Sequence, residues 1–373
     1  MNKIKVKSIF KDGVVILLIS LCLLFLIEGV SSFVITLYDY LKYPRIFAEL
    51  VHTEYDPLLG WINRKSCFIQ DMYGPGVYLR TNSQRFRNAY DFETVIPNSK
   101  SRWICVGDSF TLGYGVDNEH TWSSFLSSQL PNIETVNMGQ GGYSVNQAYL
   151  WYMRDGVQLQ HNVLVLAFIT YDFDRMAKTR SSGYSRPSLR VVDGKIMHQN
   201  YPVPRPGYLA RYLPGIKYAI RELNIIRITN FLGRRIQVDR SKPPRETIEL
   251  TNAIFDKLTW LNKQSDRRVL LVHLPILDDY KDAEISNYWR YWLDSMANKN
   301  GWNYIDLIEE LRNLEQDFVR DLFIQSNVSG YVASSGHYTE KGHRYIAEIL
   351  VKKIAENPAI MDLVRAPEVD NDG

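Results

Sequence analysis

The chain has 373 residues, 45% hydrophobic and 23% charged, with a formal net charge of +3, which supplies the core of one large globular domain with appendages. Its basic residues are scattered rather than striped, and the one cluster, Arg234-Arg235, reads as a solvated loop, so no nucleic-acid surface is indicated. Three cysteines, Cys22, Cys67 and Cys105, show neither a CxxC nor a metal-ligand spacing, which argues against a disulfide framework and a zinc site.

Lys3, Lys5, Lys7 and Lys11 precede an apolar run from Val14 to Ile27 that resumes after Glu28 and continues to Leu41. About 20 mostly apolar residues span a bilayer, so residues 13–37 are expected to form a transmembrane anchor. The lysines hold residues 1–12 in the cytoplasm and send the rest across, giving a single-pass cell-membrane protein with an extracytoplasmic main domain. Glu28, costly in hydrocarbon, is expected near the outer interface or facing a partner helix. A signal peptide cleaved after Val30-Ser31-Ser32 is the rival reading, and the apolar run beyond that point favours retention. A lipoprotein is disfavoured by bulky Leu21 before Cys22.

Residues 38–100, rich in Tyr, Pro and Gly, form a membrane-proximal lead-in. Strands at 102–106, 133–138 and 162–169 then alternate with helices at 121–130 and 146–158. After an interruption at about 174–245 the alternation resumes with a helix near 246–263, strand 268–274, helix 284–299, strand 303–307 and a last helix from Thr339 to Ala355. Such alternation implies a three-layer α/β/α fold with a parallel sheet covered on both faces. The interruption is too long for a simple connection and is read as an insertion or lid, either presenting Tyr and Arg to sugars or covering apolar surface. Residues 356–373 form an acidic tail.

The strand through Ile104-Cys105-Val106 ends in Gly107-Asp108-Ser109 and opens into a loop containing Gly113. In parallel α/β sheets the carboxyl ends of strands display catalytic groups, which nominates Ser109 as a nucleophile. Cys105 reads as a small buried hydrophobe.

Together with Asn137-Met138-Gly139-Gln140-Gly141-Gly142-Tyr143-Ser144, the strand from Asn162 to Asp172 and Gly336-His337-Tyr338-Thr339-Glu340-Lys341-Gly342-His343, this segment resembles the ordered blocks of the SGNH/GDSL hydrolases. Tyr55-Asp56-Pro57-Leu58-Leu59-Gly60-Trp61 and Asn82-Ser83-Gln84-Arg85-Phe86-Arg87 resemble the lead-in of membrane-anchored bacterial members, so the resemblance covers residues 55–355. It implies a flavodoxin-like sheet, with Ser109 as nucleophile and His337 as its base. The implied oxyanion donors are the amides of Ser109 and Gly142, and no metal or organic cofactor is needed. His343 is then structural. His273 either lines the pocket or is a satisfied core residue.

Three positions depart from the family pattern. Tyr171 stands where the family has an oxyanion-hole Asn, and its phenol is a longer third donor; neighbouring Asp172 caps the strand end or orients the loop. Ser334 and Ser335 stand where the family has the Asp that orients the histidine, which leaves a Ser-His dyad steadied by a hydroxyl or backbone carbonyl. Asp172, Asp278 and Asp306 occupy other strand ends. Arg85 stands where relatives commonly have Gly. The resemblance implies a serine esterase or O-acyltransferase acting on acetyl or other acyl esters of a surface glycan, or on a small acyl ester, beside polysaccharide-synthesis partners. The competing reading is a catalytically impaired member serving as a glycan-binding or assembly module. A third is a structural membrane-complex subunit recognised through the helix bearing Glu28.

Overall fold

Five short runs form one parallel sheet in the computed structural model, which describes residues 3–42, 51–97, 100–181, 184–205, 243–325 and 331–356. The chain divides into two units, 1–45 with 207–240, and 46–206 with 241–373. The expected insertion at about 174–245 is therefore divided between them, and the lead-in from residue 46 onward belongs to the sheet unit. The acidic tail, Arg234-Arg235 and most of the insertion's second half lie outside the described residues.

In the first unit, helix α1 (Lys3–Lys42) runs through the apolar stretch. The window Lys11–Val30 has a mean hydropathy of 2.7 and none of it is buried. It is long and apolar enough to cross a membrane, and a signal sequence meets the same description.

The second unit opens with two antiparallel hairpins, β1 (Thr53–Asp56) with β2 (Gly60–Asn63) and β3 (Phe68–Gly74) with β4 (Val77–Arg80). The sheet follows: β5 (Ser101–Gly107), short helix α2 (Ser109–Leu112), helix α3 (Trp122–Gln129), β6 (Ile133–Gly139), helix α4 (Val145–Arg154) and β7 (Val163–Phe168). Helix α5 (Thr170–Met176) leads into two small hairpins, β8 (Arg180–Ser181) with β9 (Tyr184–Ser185) and β10 (Leu189–Val192) with β11 (Lys195–His198). Then come α6 (Arg245–Lys263), β12 (Arg268–His273), α7 (Leu277–Lys281), α8 (Glu284–Asn300), β13 (Asn303–Asp306), α9 (Ile308–Arg312), α10 (Gln316–Leu322) and α11 (Glu340–Glu356).

The strand order is β13-β12-β7-β5-β6, and every pairing is parallel. This is the flavodoxin-like order, in which the chain reverses direction across the sheet between β5 and β7. The crevice beyond the carboxyl ends of those two strands is therefore where a ligand is expected.

Side-chain alternation produces the layers. On one face Ile104, Val106, Leu164, Leu166 and Leu271 pack against α4, α6 and α8; on the other Trp103, Cys105, Val163, Val165 and Leu270 pack against α3 and α11. Both sets are buried because parallel strands are covered on both sides, which is why Val163–Phe168 is uninterruptedly apolar. Helix α6 fits its face by burying Thr247, Leu250, Thr251, Ile254 and Leu258, a helical stripe.

The lead-in packs directly on the sheet unit. Trp61, fully buried, donates from its indole N–H to Gly141 O at 3.0 Å, and Tyr143 returns a hydroxyl bond to Trp61 O. Arg87, also buried, donates to the carbonyls of Leu112, Gly113 and Val116. Arg85 has φ +76, a left-handed backbone that a glycine adopts freely, and its guanidinium pairs with Glu54 and bonds Asn63 O at 2.8 Å.

Candidate active site

The turn that carries Ser109 is built from its neighbours. Asp108, in extended backbone at the N-cap of α2, accepts the Phe110 amide on Oδ1 at 2.9 Å, and Gly113 closes the turn at φ +89. Gly139, at the end of β6, lies so close to this turn that a Cβ there would stand 2.1 Å from Leu112 N. Asn137 also holds the turn, donating from its side chain to Thr111 O at 2.8 Å.

Ser109 and His337 meet across 228 positions of sequence, with Ser109 Oγ 2.7 Å from His337 Nε2. The imidazole stacks on Phe110, centroids 4.5 Å apart and planes at 28°, and leans on Tyr114 at 5.1 Å. Burial of the ring pushes its pKa down to about 4; the Asp108 carboxylate opposes this and the Arg175 guanidinium adds to it. At neutral pH the imidazole is therefore unprotonated and able to take a proton.

The other imidazole nitrogen, Nδ1, is buried and has no partner in hydrogen-bonding geometry; the backbone carbonyls of Ser334 and Ser335 are the groups that favour its proton. No carboxylate reaches it among the described residues. Asp172 accepts the Ile169 amide and pairs with Arg175, Asp278 accepts the Tyr171 hydroxyl at 3.1 Å, and Asp306 pairs with Arg290 at 2.6 Å. Ser334 is itself committed, its hydroxyl donating to Tyr331 O at 2.6 Å, while Ser335 is exposed.

Gly142 adopts φ +71 in the loop after β6. Its amide N–H and that of Ser109 donate to nothing among the described residues. Tyr171, considered as a third donor, is placed otherwise. It lies in the first turn of α5, and its hydroxyl is turned to Asp278, whose carboxylate is the stronger acceptor.

Two residues to which the motifs assign no role organise this crevice. Arg175 donates to Asp108 Oδ2 at 2.8 Å, to Asp172 and to Tyr143 O at 3.1 Å, tying the nucleophile turn, the end of β7 and the Gly142 loop through one guanidinium. Burial raises the Asp172 carboxyl well above the usual range, and nearby Asp108 adds to the shift, against the pull of Arg175. The spacing Asp172-x-x-Arg175 is the one signal in the sequence, that of a helical ion pair. Arg87 is the second, since its contact with the α2 loop follows from packing alone.

His273 is a core residue. Its Nε2 lies 3.0 Å from Thr170 Oγ1 and its Nδ1 3.2 Å from the Tyr304 hydroxyl, and burial lowers its pKa to about 4. His343 is structural too, accepting the Trp122 amide on Nδ1 at 3.1 Å. Cys105 is fully buried in β5, and burial pushes its thiol pKa up. No group of three or more His, Cys, Asp or Glu side chains stands ready for a metal ion among the described residues.

No family model matches the chain, and no curated protein matches it. Several solved structures are similar in fold. A member of the lipolytic protein G-D-S-L family from Veillonella parvula DSM 2008 is 16% identical with a TM-score of 0.38, covering 69% of this chain and 100% of its own. A GDSL-like lipase from Bacteroides thetaiotaomicron VPI-5482 is 12% identical at 0.38, covering 71% and 92%. An acetyl xylan esterase is 13% identical at 0.37, covering 68% and 99%. Likeness at that level says nothing of this chain's chemistry, which rests on the geometry above.

Proposed function

We propose that the chain is a serine esterase or O-acyltransferase of the SGNH type, working with a Ser109–His337 dyad. The observation that carries this is the 2.7 Å contact between Ser109 Oγ and a neutral His337 Nε2 at the sheet's switch point. Ser109 Oγ attacks the acyl carbonyl carbon while its proton passes to His337 Nε2. The negative charge that develops on the carbonyl oxygen is met by the free amides of Ser109 and Gly142. Collapse expels the alcohol, which takes the proton back from His337, and leaves the acyl group on Ser109. Water activated by His337 then releases the acid, or an acceptor hydroxyl in its place takes the acyl group. The Ser334 and Ser335 backbones favour the protonated ring but make no hydrogen bond to Nδ1, so the imidazolium is stabilised less than by a carboxylate and the enzyme is slow. The experiment is labelling of the full-length, detergent-solubilised chain with a fluorophosphonate probe: adduct formation on Ser109 supports the reading, and its absence overturns it.

The low pKa of His337 sets the pH dependence. Because the folded-state pKa is depressed, the neutral base persists down to about 4, so kcat/KM for p-nitrophenyl acetate should stay level from pH 8 to about 5 and fall only below that. Ser335→Asp, which places a carboxylate near Nδ1, should raise that apparent pKa and the rate together. A limb near pH 6.5 in the unaltered protein would contradict this account of the site.

The resemblance to membrane-anchored members extends the reading to acyl esters, chiefly acetyl, of a surface glycan, with the catalytic domain outside the cytoplasm and α1 retained. The lysine-rich start before the apolar run supports that orientation. A C-terminal alkaline phosphatase fusion should be active and a C-terminal green fluorescent protein fusion dark; the opposite pair of results places the domain in the cytoplasm.

A further inference from the structure

Away from the Ser109 crevice, the hairpin β10–β11 stands beside α6 and α8 and walls an open cleft of about 950 Å³. That volume lies within the range of small-molecule sites. Tyr149, Trp260 and Trp292 present rings to it, with Asn252, Asp256 and Lys257 among them. Trp260 is 55% exposed, which leaves a large aromatic surface in water.

The polar side of the cleft is fixed in advance. Asp256 Oδ1 accepts from the Asn300 amide at 3.2 Å and the Trp302 indole at 3.0 Å, and Oδ2 accepts from Asn252 at 2.9 Å. Asn252 in turn accepts from Asn300 at 3.3 Å. A carboxylate offers about four lone-pair sites, so Oδ2 keeps one unused. Among the described residues no cation pairs with Asp256, and its three partners are neutral donors. It is thus an oriented acceptor, exposed at the rim and held without charge neutralisation.

These features discriminate among ligand classes. A quaternary ammonium would use the same rings and carboxylate, but Lys257 and Lys195 both stand at the cleft and its other carboxylate, Glu249, is paired with Arg245 at 2.7 Å, so a further cation is repelled. An acyl chain needs enclosure from water, whereas this cleft is open and carries a fixed carboxylate and amide. A neutral pyranose satisfies both sides. Its C–H face lies on an exposed indole while its hydroxyls donate to Asp256 Oδ2 and Asn252 Oδ1, and it brings no charge to be desolvated.

We infer that this cleft is a second, non-catalytic site that binds neutral pyranose oligosaccharides, with Trp260 as platform and Asn252–Asp256 as hydroxyl acceptors. The inference stands apart from the esterase reading, since none of these residues touches Ser109 or His337. The test titrates full-length protein in a polyoxyethylene detergent with cellohexaose, xylohexaose and mannohexaose, following tryptophan fluorescence and heat. At least one should bind saturably at up to about 10 mM, and Trp260→Ala should weaken it by about tenfold, equivalent to about 1.4 kcal/mol. Asn252→Ala, a milder change at a half-buried position of the helix, should weaken it in the same direction. Hydrolysis of p-nitrophenyl acetate by both variants should match the parent. No saturable binding by any of the three overturns the inference, as do affinity indifferent to Trp260→Ala and competition for the cleft by choline or laurate.

Discussion

Ser109→Ala is expected to abolish fluorophosphonate labelling and to lower hydrolysis of p-nitrophenyl acetate by about 10³-fold or more. The argument is local. Ser109 Oγ is the hydroxyl in contact with His337 Nε2, and the ring is held by Phe110 and Tyr114, so among the described residues no other nucleophile is positioned to take its place. His337→Ala should cost a similar factor and the double variant little more, because nucleophile and base act as one unit. The residual rate would measure what the Ser109 and Gly142 amides contribute through binding and charge alone. Near-parental turnover in Ser109→Ala would remove nucleophilic catalysis from this crevice.

The second large effect is on stability, from Arg175→Met. The substitution removes the cation that lies between Asp108 and Asp172, and stranding a buried charge in this way costs about 3–5 kcal/mol. The pH dependence has a definite sign. The Asp172 carboxyl is already raised in the folded chain, and losing Arg175, which pulls it down, raises it further. A carboxyl whose folded-state pKa exceeds its unfolded value contributes stability that is present at low pH and lost as pH rises. The gap in Tm between Arg175→Met and the parent should therefore be larger at pH 8 than at pH 5. Thermal unfolding at the two pH values checks this, and a gap that widens toward pH 5 would mean that the two carboxylates are not what Arg175 holds.

The sheet was legible because its strands are covered on both faces and so carry continuous apolar runs, Trp103-Ile104-Cys105-Val106 and Val163–Phe168 above all. Placement of Ser109 and His337 was legible too, since a strand's carboxyl end and a loop before the last helix are local features. The fate of Tyr171 was not. Its hydroxyl is claimed by Asp278, which follows a different strand, and no local pattern encodes that pairing. Arg175 and Arg87 escaped for the same reason, because a guanidinium serves whichever carbonyls and carboxylates packing brings within reach. The short helices α2, α5, α7 and α9 fall below the length at which periodicity separates helix from turn. Arg85 is a visible departure in the sequence, and its φ of +76 supplies the reason that a glycine suits the position.

The lead-in changes how the protein can be shortened. Trp61 holds the Gly141 carbonyl and Arg87 holds three carbonyls at and beyond the end of α2, so residues 53–87 brace both loops that face the dyad. Cutting the chain at residue 100, where the sheet begins, would strip the cover from Leu112 and Tyr114 and leave those loops unsupported. A fragment that keeps the shape of this crevice must start before Thr53, because the segment that precedes the sheet is part of the floor on which the Ser109 and Gly142 loops rest.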